Sequence, residues 1–310
     1  MWLNEYSTLM FGSDNDMEKT IKAIELKRKY MPEVLYKYRS INQMNLNAFE
    51  NNEIYLCSVS ELNDLQECTL TIDYEQVRQH VYSHFTKPLK DKLGIDFILT
   101  PEDCQSREVL HKKILSSIEL IPEKHLEYWM GVFSFFDKLF EFKIGEFSKE
   151  VASIGNEIYR VCSFSAINNE PLLWAHYADS NRGFCLGYNF RILNNDLTEL
   201  MLPVRYSETM LDVSKLIFTK NDKNIILDAI TRKSIAWEYE KEWRLVMLAD
   251  HEDRKGQLLK VPYPQYLYLG TKVGDYNRGR LIEIAETKNM EVYEILPNPT
   301  RFGFTSKRIL

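Results

Sequence analysis

The sequence predicts an α+β protein: strands from both ends of the chain build one core, and a large helical insertion interrupts them. Three observations carry that reading. Short strand-like runs bounded by turn residues occur early, as "EVLYKYRS" and "NNEIYLCSV", and late, as "QYLYLG" and "MEVYEI". Between residues 70 and 158 the apolar spacing turns helical. Strand patterning then returns at "RVCSFSAINNEPLLWAHYADSNRGFCLGYNF". A length of 310 residues suits one large domain, 1–310, with 70–158 inserted within it.

In chain order, "DNDMEKTIKAIELKRKY" puts Met17, Ile21 and Ile24 on one helical face behind an Asp/Asn cap. "EVLYKYRS" follows as a strand. Ser40, Ile41, Asn42 and Gln43 match a capping box that opens a short helix carrying Leu46 and Phe49. "NNEIYLCSV" is a turn and second strand, ending in the polar loop "SELNDLQE". In the insertion, Thr100-Pro101-Glu102-Asp103 is a helix start with proline in the first turn. Two apolar stripes follow it, Leu110/Ile114/Ile118/Ile121 and Leu126/Trp129/Met130/Phe133/Phe136. A strand running to Ser165, a short helix from Pro171 and a turn at Gly183 come next. The strand after that alternates Phe184, Leu186, Tyr188 and Phe190 on one face. A helix from about Asn221 to Ser234 leads into "WEYEKEWRLVML", read as extended.

Composition narrows the function classes. A formal charge of -6 and a pI near 5.7 argue against strong whole-chain attraction to nucleic acid. There is no apolar run of the ~18 residues that a spanning helix needs, so no membrane role is expected. The N-terminal stretch lacks a basic segment followed by an apolar one, so no secretory signal is expected. Five dispersed cysteines form neither CxxC pairs nor zinc spacing with the six histidines. They read as reduced thiols of a cytoplasmic protein without a metal.

Two short stretches could carry chemistry. In an extended "WEYEKEWRLVML", Glu240, Glu242 and Arg244 share one face, and Tyr239, Trp243 and Leu245 share the other. Neighbouring carboxylates need a cation nearby, and Arg244 can grip one of them through two hydrogen bonds. Such a set is either a surface ladder of ion pairs or a carboxylate site beside a cleft. In "LYKYRS", Tyr36 and Tyr38 share one strand face and Lys37 and Arg39 the other, ahead of a helix N-terminus suited to an anion. Asn63, Asp64 and Glu67 in the polar loop suit turn formation, and His176 lies between aromatics, where proton transfer is one option and core packing another.

Taken in order, "LYKYRS", "IYLCSVSELND", "CSFSAINNEPLLWAHYADSNRGFCLGY" and "WEYEKEWRLV" resemble a prokaryotic family catalogued as domain of unknown function 2971. The resemblance spans roughly residues 33 to 248 without the insertion. More distantly, a cationic first strand, a short helix, a second strand and a late glutamate at a strand start resemble ADP-ribosyltransferases. That resemblance implies a mixed or split β-sheet core with NAD as substrate. It implies Lys37 or Arg39 at the NAD ribose or phosphate, Tyr55 or Ser58 on the second strand, Glu242 or Glu240 as the late glutamate, and Tyr38 and Arg244 among the residues that bind NAD.

The leading expectation is therefore an NAD-consuming ADP-ribosyltransferase-like enzyme, a microbial defence or toxin effector whose target is protein or nucleic acid. The alternative is a non-enzymatic module that senses a nucleotide or anion, or binds a partner. A metal-dependent nuclease built on Asp64, Glu67, Glu240 and Glu242 fits least, because the carboxylate-x-Lys strand motif is missing.

Overall fold

The computed structural model describes residues 2–12, 16–64, 66–73, 157–193, 195–214, 225–249 and 256–310, with isolated positions between 75 and 146. The chain divides into two compact units. The first comprises Met1–Cys68, Gly155–Thr209 and Ile230–Leu310; the second comprises Thr69–Ile154 and Met210–Ala229.

The first unit opens with two helices, α1 (Trp2–Phe11) and α2 (Met17–Tyr30). Asp16 caps α2 as expected, accepting from the Glu18 N–H. The expected core face of α2 does not hold, since Met17 and Ile21 are exposed and Ala23 and Lys27 are the buried residues. Lys27 is tolerated there because its ammonium donates to the carbonyls of Thr198 and Glu199, at 3.2 and 2.7 Å. Next come β1 (Leu35–Arg39), α3 (Gln43–Glu50) and β2 (Glu53–Ser58). The cap of α3 is Asn42, whose side chain accepts from the Asn45 N–H at 2.8 Å, rather than a Ser40 capping box. Leu46 and Phe49 are buried, as the spacing required.

Downstream in this unit are β4 (Tyr159–Ser165), α4 (Pro171–Tyr177) and β5 (Phe184–Tyr188). Two short helices follow, α5 (Phe190–Leu193) and α6 (Asn195–Leu200), then β6 (Met201–Pro203) and β7 (Arg205–Ser207). Phe184, Leu186 and Tyr188 do alternate, but every residue of β5 is buried, because both faces of this central strand are covered. Between α4 and β5, Asp179, Ser180 and Asn181 take left-handed φ values in succession, and Gly183 closes the turn. A Cβ on Gly183 would stand 2.1 Å from the Arg39 carbonyl oxygen, so only glycine lets the turn abut the end of β1.

The expected helix to Ser234 ends early. Helix α7 (Ile225–Ile230) is followed by β9 (Arg232–Ser234), parallel to β7, and then by a 3₁₀ stretch, Ile235–Glu240. The remaining elements are β10 (Glu242–Leu248), β11 (Gln257–Lys260), β12 (Tyr266–Leu269), α8 (Asp275–Thr287), β13 (Glu291–Pro297) and β14 (Phe304–Arg308). Among the described residues one sheet takes in ten strands, in the order β11-β2-β4-β1-β5-β12-β13-β14, with β10 pairing β4 and β6. It is mixed, since β12 and β13 are parallel and the other pairs antiparallel. Its main core includes Leu35, Ile54, Leu56, Phe164, Leu245 and Leu267.

One edge of β4 positions the site. Its first residues register with β2, Cys57 against Val161 and Ser58 against Arg160. At its far end Ser165 registers with Tyr36 of β1. On this edge Cys162, Ser163 and Phe164 have neither strand as a registered partner, so β1 and β2 splay apart and the sheet is split there.

In the second unit, β3 (Leu70–Thr71) runs parallel to β8 (Leu211–Asp212), and the Asp73 N–H donates to Ser214 Oγ at 2.6 Å. Glu102–Cys104 is a 3₁₀ turn, with the Thr100 hydroxyl donating to Asp103 Oδ2, where an α-helix start was expected. Pro101 and every residue of the two apolar stripes lie outside the described residues.

Candidate functional site

The split in the first unit opens a cleft of about 350 Å³. Lys37, Tyr38, Arg39, Tyr55, Asn63, Glu240 and Glu242 line it, as do Ser163, Tyr177 and Lys233. Register assigns the two sides. Tyr36 pairs with Ser165, and Ser165 with Glu242, so these residues share a sheet face, and Tyr38 shares it by the two-residue period. Lys37 and Arg39 therefore project to the opposite face from Glu242. They meet the same cleft because the ladder is open between the two faces.

The Lys37 ammonium occupies the opening. It donates to the unladdered Ser163 carbonyl at 2.7 Å and lies 5.7 Å from the Phe164 ring centre. Burial pushes its proton affinity down, which the nearby Cys162 opposes and Arg39 reinforces. The Arg39 guanidinium makes no hydrogen bond or ion pair among the described residues.

On the other side is a buried cluster of three carboxylates and two cations. Lys233 Nζ lies 2.8 Å from Glu67, 2.7 Å from Glu240 and 3.1 Å from Glu242. Arg244, fully buried, grips Glu242 through Nε at 2.8 Å and Nη2 at 3.1 Å. Its Nη2 also reaches Glu67 at 3.0 Å, and its Nη1 donates to the Ile230 carbonyl. Removing one partner from such a buried set typically costs about 3–5 kcal/mol, because a charge is left uncompensated. Five side chains from β9, β10, the 59–68 loop and the 3₁₀ stretch thus depend on each other.

Local backbone brings the two glutamates together. They were expected one strand repeat apart, but Glu240 ends the 3₁₀ stretch and Glu242 begins β10. Lys241 between them is left-handed at φ 46°. Its N–H returns to the Glu238 carbonyl and its carbonyl accepts from Ala166, so the reversal is held on both sides. Both carboxylates then converge on Lys233, and the exposed ion-pair ladder considered for the strand is not formed.

Their chemistry differs. Burial would raise the Glu242 carboxyl, but Arg244 and Lys233 outweigh it and hold it well below the ordinary range. At Glu240 burial prevails, Lys233 opposes it and Glu242 adds to the rise. Glu240 Oε1 accepts from the Tyr177 hydroxyl at 2.6 Å, and that hydroxyl accepts from Asn63 Nδ2 at 2.9 Å. Lys233 is raised: burial would lower it, but Glu242, Glu67 and Glu240 prevail. The two neighbouring carboxylates therefore differ in proton affinity, Glu242 held low and Glu240 shifted the other way.

The other candidate residues have different settings. Ser58 caps the start of the 3₁₀ turn Val59–Glu61, donating through its N–H and hydroxyl to Glu61 Oε2, and does not line the cleft. Asp64 Oδ1 accepts from the Gln66 N–H, so it shapes the loop. His176 is exposed and contacts Tyr177 and Trp237 edge-on outside the cleft. Arg244 supports Glu242 from behind rather than facing the cleft. Tyr38 lines it but is anchored in the core, its hydroxyl donating to the Ile167 carbonyl at 2.9 Å and its ring edge-on to Trp174. Tyr55 lines the cleft with its hydroxyl donating to Glu61 at 3.1 Å.

Lys233 and Tyr177 escaped the sequence reading. Lys233 was assigned to a helix tail and carries no local signal; Tyr177 was one aromatic beside His176. Glu67 was in view only as a turn residue of the polar loop and as part of a metal set. Among the described residues no group of His, Cys, Asp and Glu is arranged to hold a metal ion, and no helix is long and apolar enough to cross a membrane.

Fold and site define a mixed α+β protein with a split-sheet cleft, walled on one side by buried carboxylates and reached from the other by two cations. Residues 173–245 match the model of a family described as "Protein of unknown function (DUF2971)". The matched span runs from α4 into β10, and so includes Tyr177, Lys233, Glu240, Glu242 and Arg244 but not β1 or β2. No curated protein and no solved structure matches the chain.

Proposed function

We propose that the cleft binds NAD and that the chain is an ADP-ribosyltransferase-like enzyme, cleaving the bond between nicotinamide and ribose. The observation that carries this reading is the meeting, in one cleft, of the β1 cations with two carboxylates of unlike proton affinity. The order of parts supports it as well: a cationic strand, a short helix, a second strand and a glutamate at the first position of a later strand. The fit is physical. The volume lies in the roughly 300–1,000 Å³ range of small-molecule sites. Arg39, unpartnered among the described residues, can take a phosphate.

In this reading the Glu242 anion stabilises positive charge that builds on the ribose ring as the C1′–N bond breaks and its electron pair leaves with nicotinamide. Glu240 receives the proton of the water or acceptor group that then bonds to C1′. Tyr177 and Lys233 hold Glu240 towards the reacting centre. The acceptor is protein or nucleic acid, as in a defence or toxin effector, or water.

Glu242→Gln keeps the shape and removes the charge. Labelled NAD with purified protein and lysate should give nicotinamide release or label transfer, reduced about 10²–10³-fold in Glu242→Gln. Equal signals from both proteins would sink the catalytic reading. A second reading, nucleotide binding without turnover, is favoured by one feature: both Glu242 oxygens already accept from Arg244 or Lys233. Thermal stabilisation by NAD with no product from the unmodified chain would select it.

A further inference from the structure

Lys37 and Arg39 stand two residues apart on one face of β1, about 7 Å along the strand, and both line the cleft. Neither has a carboxylate partner among the described residues. The Lys37 amine instead donates to the Ser163 carbonyl, lies within hydrogen-bond reach of the Cys162 thiol and has the Phe164 ring beneath it. Burial lowers the proton affinity of this amine, the direction in which a lysine becomes a nucleophile. The Cys57 thiol beside it is uncharged, burial pushing it up to about 11.

We propose that Lys37 and Arg39 form a capture site for a small aldehyde bearing a phosphate. The Lys37 nitrogen bonds to the aldehyde carbon, the carbonyl oxygen leaves as water with two of the ammonium protons, and a protonated imine remains. Arg39 takes the phosphate through its guanidinium hydrogen bonds. The site shares the cleft and Arg39 with the proposed NAD site, and its test uses no NAD, so that either reading can fail without the other.

The full chain is treated with equimolar pyridoxal 5′-phosphate, reduced with borohydride and mapped by mass spectrometry. The expected result is an adduct on Lys37 ahead of exposed lysines such as Lys22 and Lys260, diminished when inorganic phosphate is present before the reduction. Arg39→Gln should lower the preference for the phosphorylated reagent over pyridoxal about tenfold or more, the value of a charge-assisted hydrogen bond. Lys37→Arg should abolish the adduct while its melting temperature shows a folded chain. Adducts spread over the exposed lysines without enrichment at Lys37 would overturn the proposal, as would equal labelling by pyridoxal in the unmodified chain.

Discussion

Glu240 and Glu242 share one ammonium, yet their surroundings drive their proton affinities apart. Separation of this kind lets adjacent carboxylates take different roles. It also fixes opposite signs in the pH dependence of stability. Glu242 has a folded pKa below its ordinary value, so its contribution is present above 4.5 and is lost as pH falls towards about 2. Glu240 is raised, so its contribution is full below its ordinary value and is lost as pH climbs through the raised one. Urea unfolding at stepped pH should therefore show that Glu242→Gln flattens the acid limb between pH 4.5 and about 2. Glu240→Gln should instead remove a decline above pH 4.5. Indistinguishable profiles for the two variants would contradict this assignment.

At the scale of elements, the left-handed residue between the 3₁₀ stretch and β10 decides whether two acidic side chains meet one lysine. Lys241 has this conformation at a steric cost of roughly 1–2 kcal/mol for a residue with a Cβ. Among the described residues its own side chain reaches only the exposed Glu238, so the backbone, not the charge, is what position 241 supplies. Lys241→Gly should be neutral or stabilising by up to about 1 kcal/mol. Lys241→Val, β-branched, should be destabilising by about 1–2 kcal/mol or more. Chemical denaturation with the two substitutions falling in the reverse order would refute this role. The same element logic explains β9: three residues, Arg232–Ser234, are enough to carry Lys233 inward because β7 fixes their direction.

The first unit as a whole is organised around strands distant in sequence. Tyr55 registers with Leu258, and Lys37 with Leu186. Strand β4 is held by β10 along its whole length on one edge and by β1 and β2 at its ends on the other. The rim is different, since among the described residues β14 pairs only with β13, and its side chains are mostly exposed. Hydrogen exchange should follow this gradient, with β4 and β10 amides slowest and β14 amides released far earlier. Protection of β14 equal to that of β10 would show that the rim and the split region open as one.

Strand and helix identities for much of this unit could be read from period and punctuation. β1, β2, β4, α4, β12 and β13 each carry their own alternation, proline or glycine signal. The pairing of Glu240 with Glu242 was also legible, because both lie within one short stretch. What local pattern could not carry was anything set by distant partners. Met17 and Ile21 look like a core stripe, yet the buried face belongs to Ala23 and Lys27, where the Thr198 and Glu199 carbonyls satisfy an ammonium. Lys233 reads as a helix tail until β7 draws it into a strand. Lys37 and Arg39 reach the glutamates from the opposite face, through a gap that exists only because β1 and β2 part over β4. The sequence by itself determined the alternating elements and the acidic stretch, since these depend on spacing along the chain. Tertiary structure alone decided which cations meet those acids and which face opens into a cleft, since burial and long-range register set both.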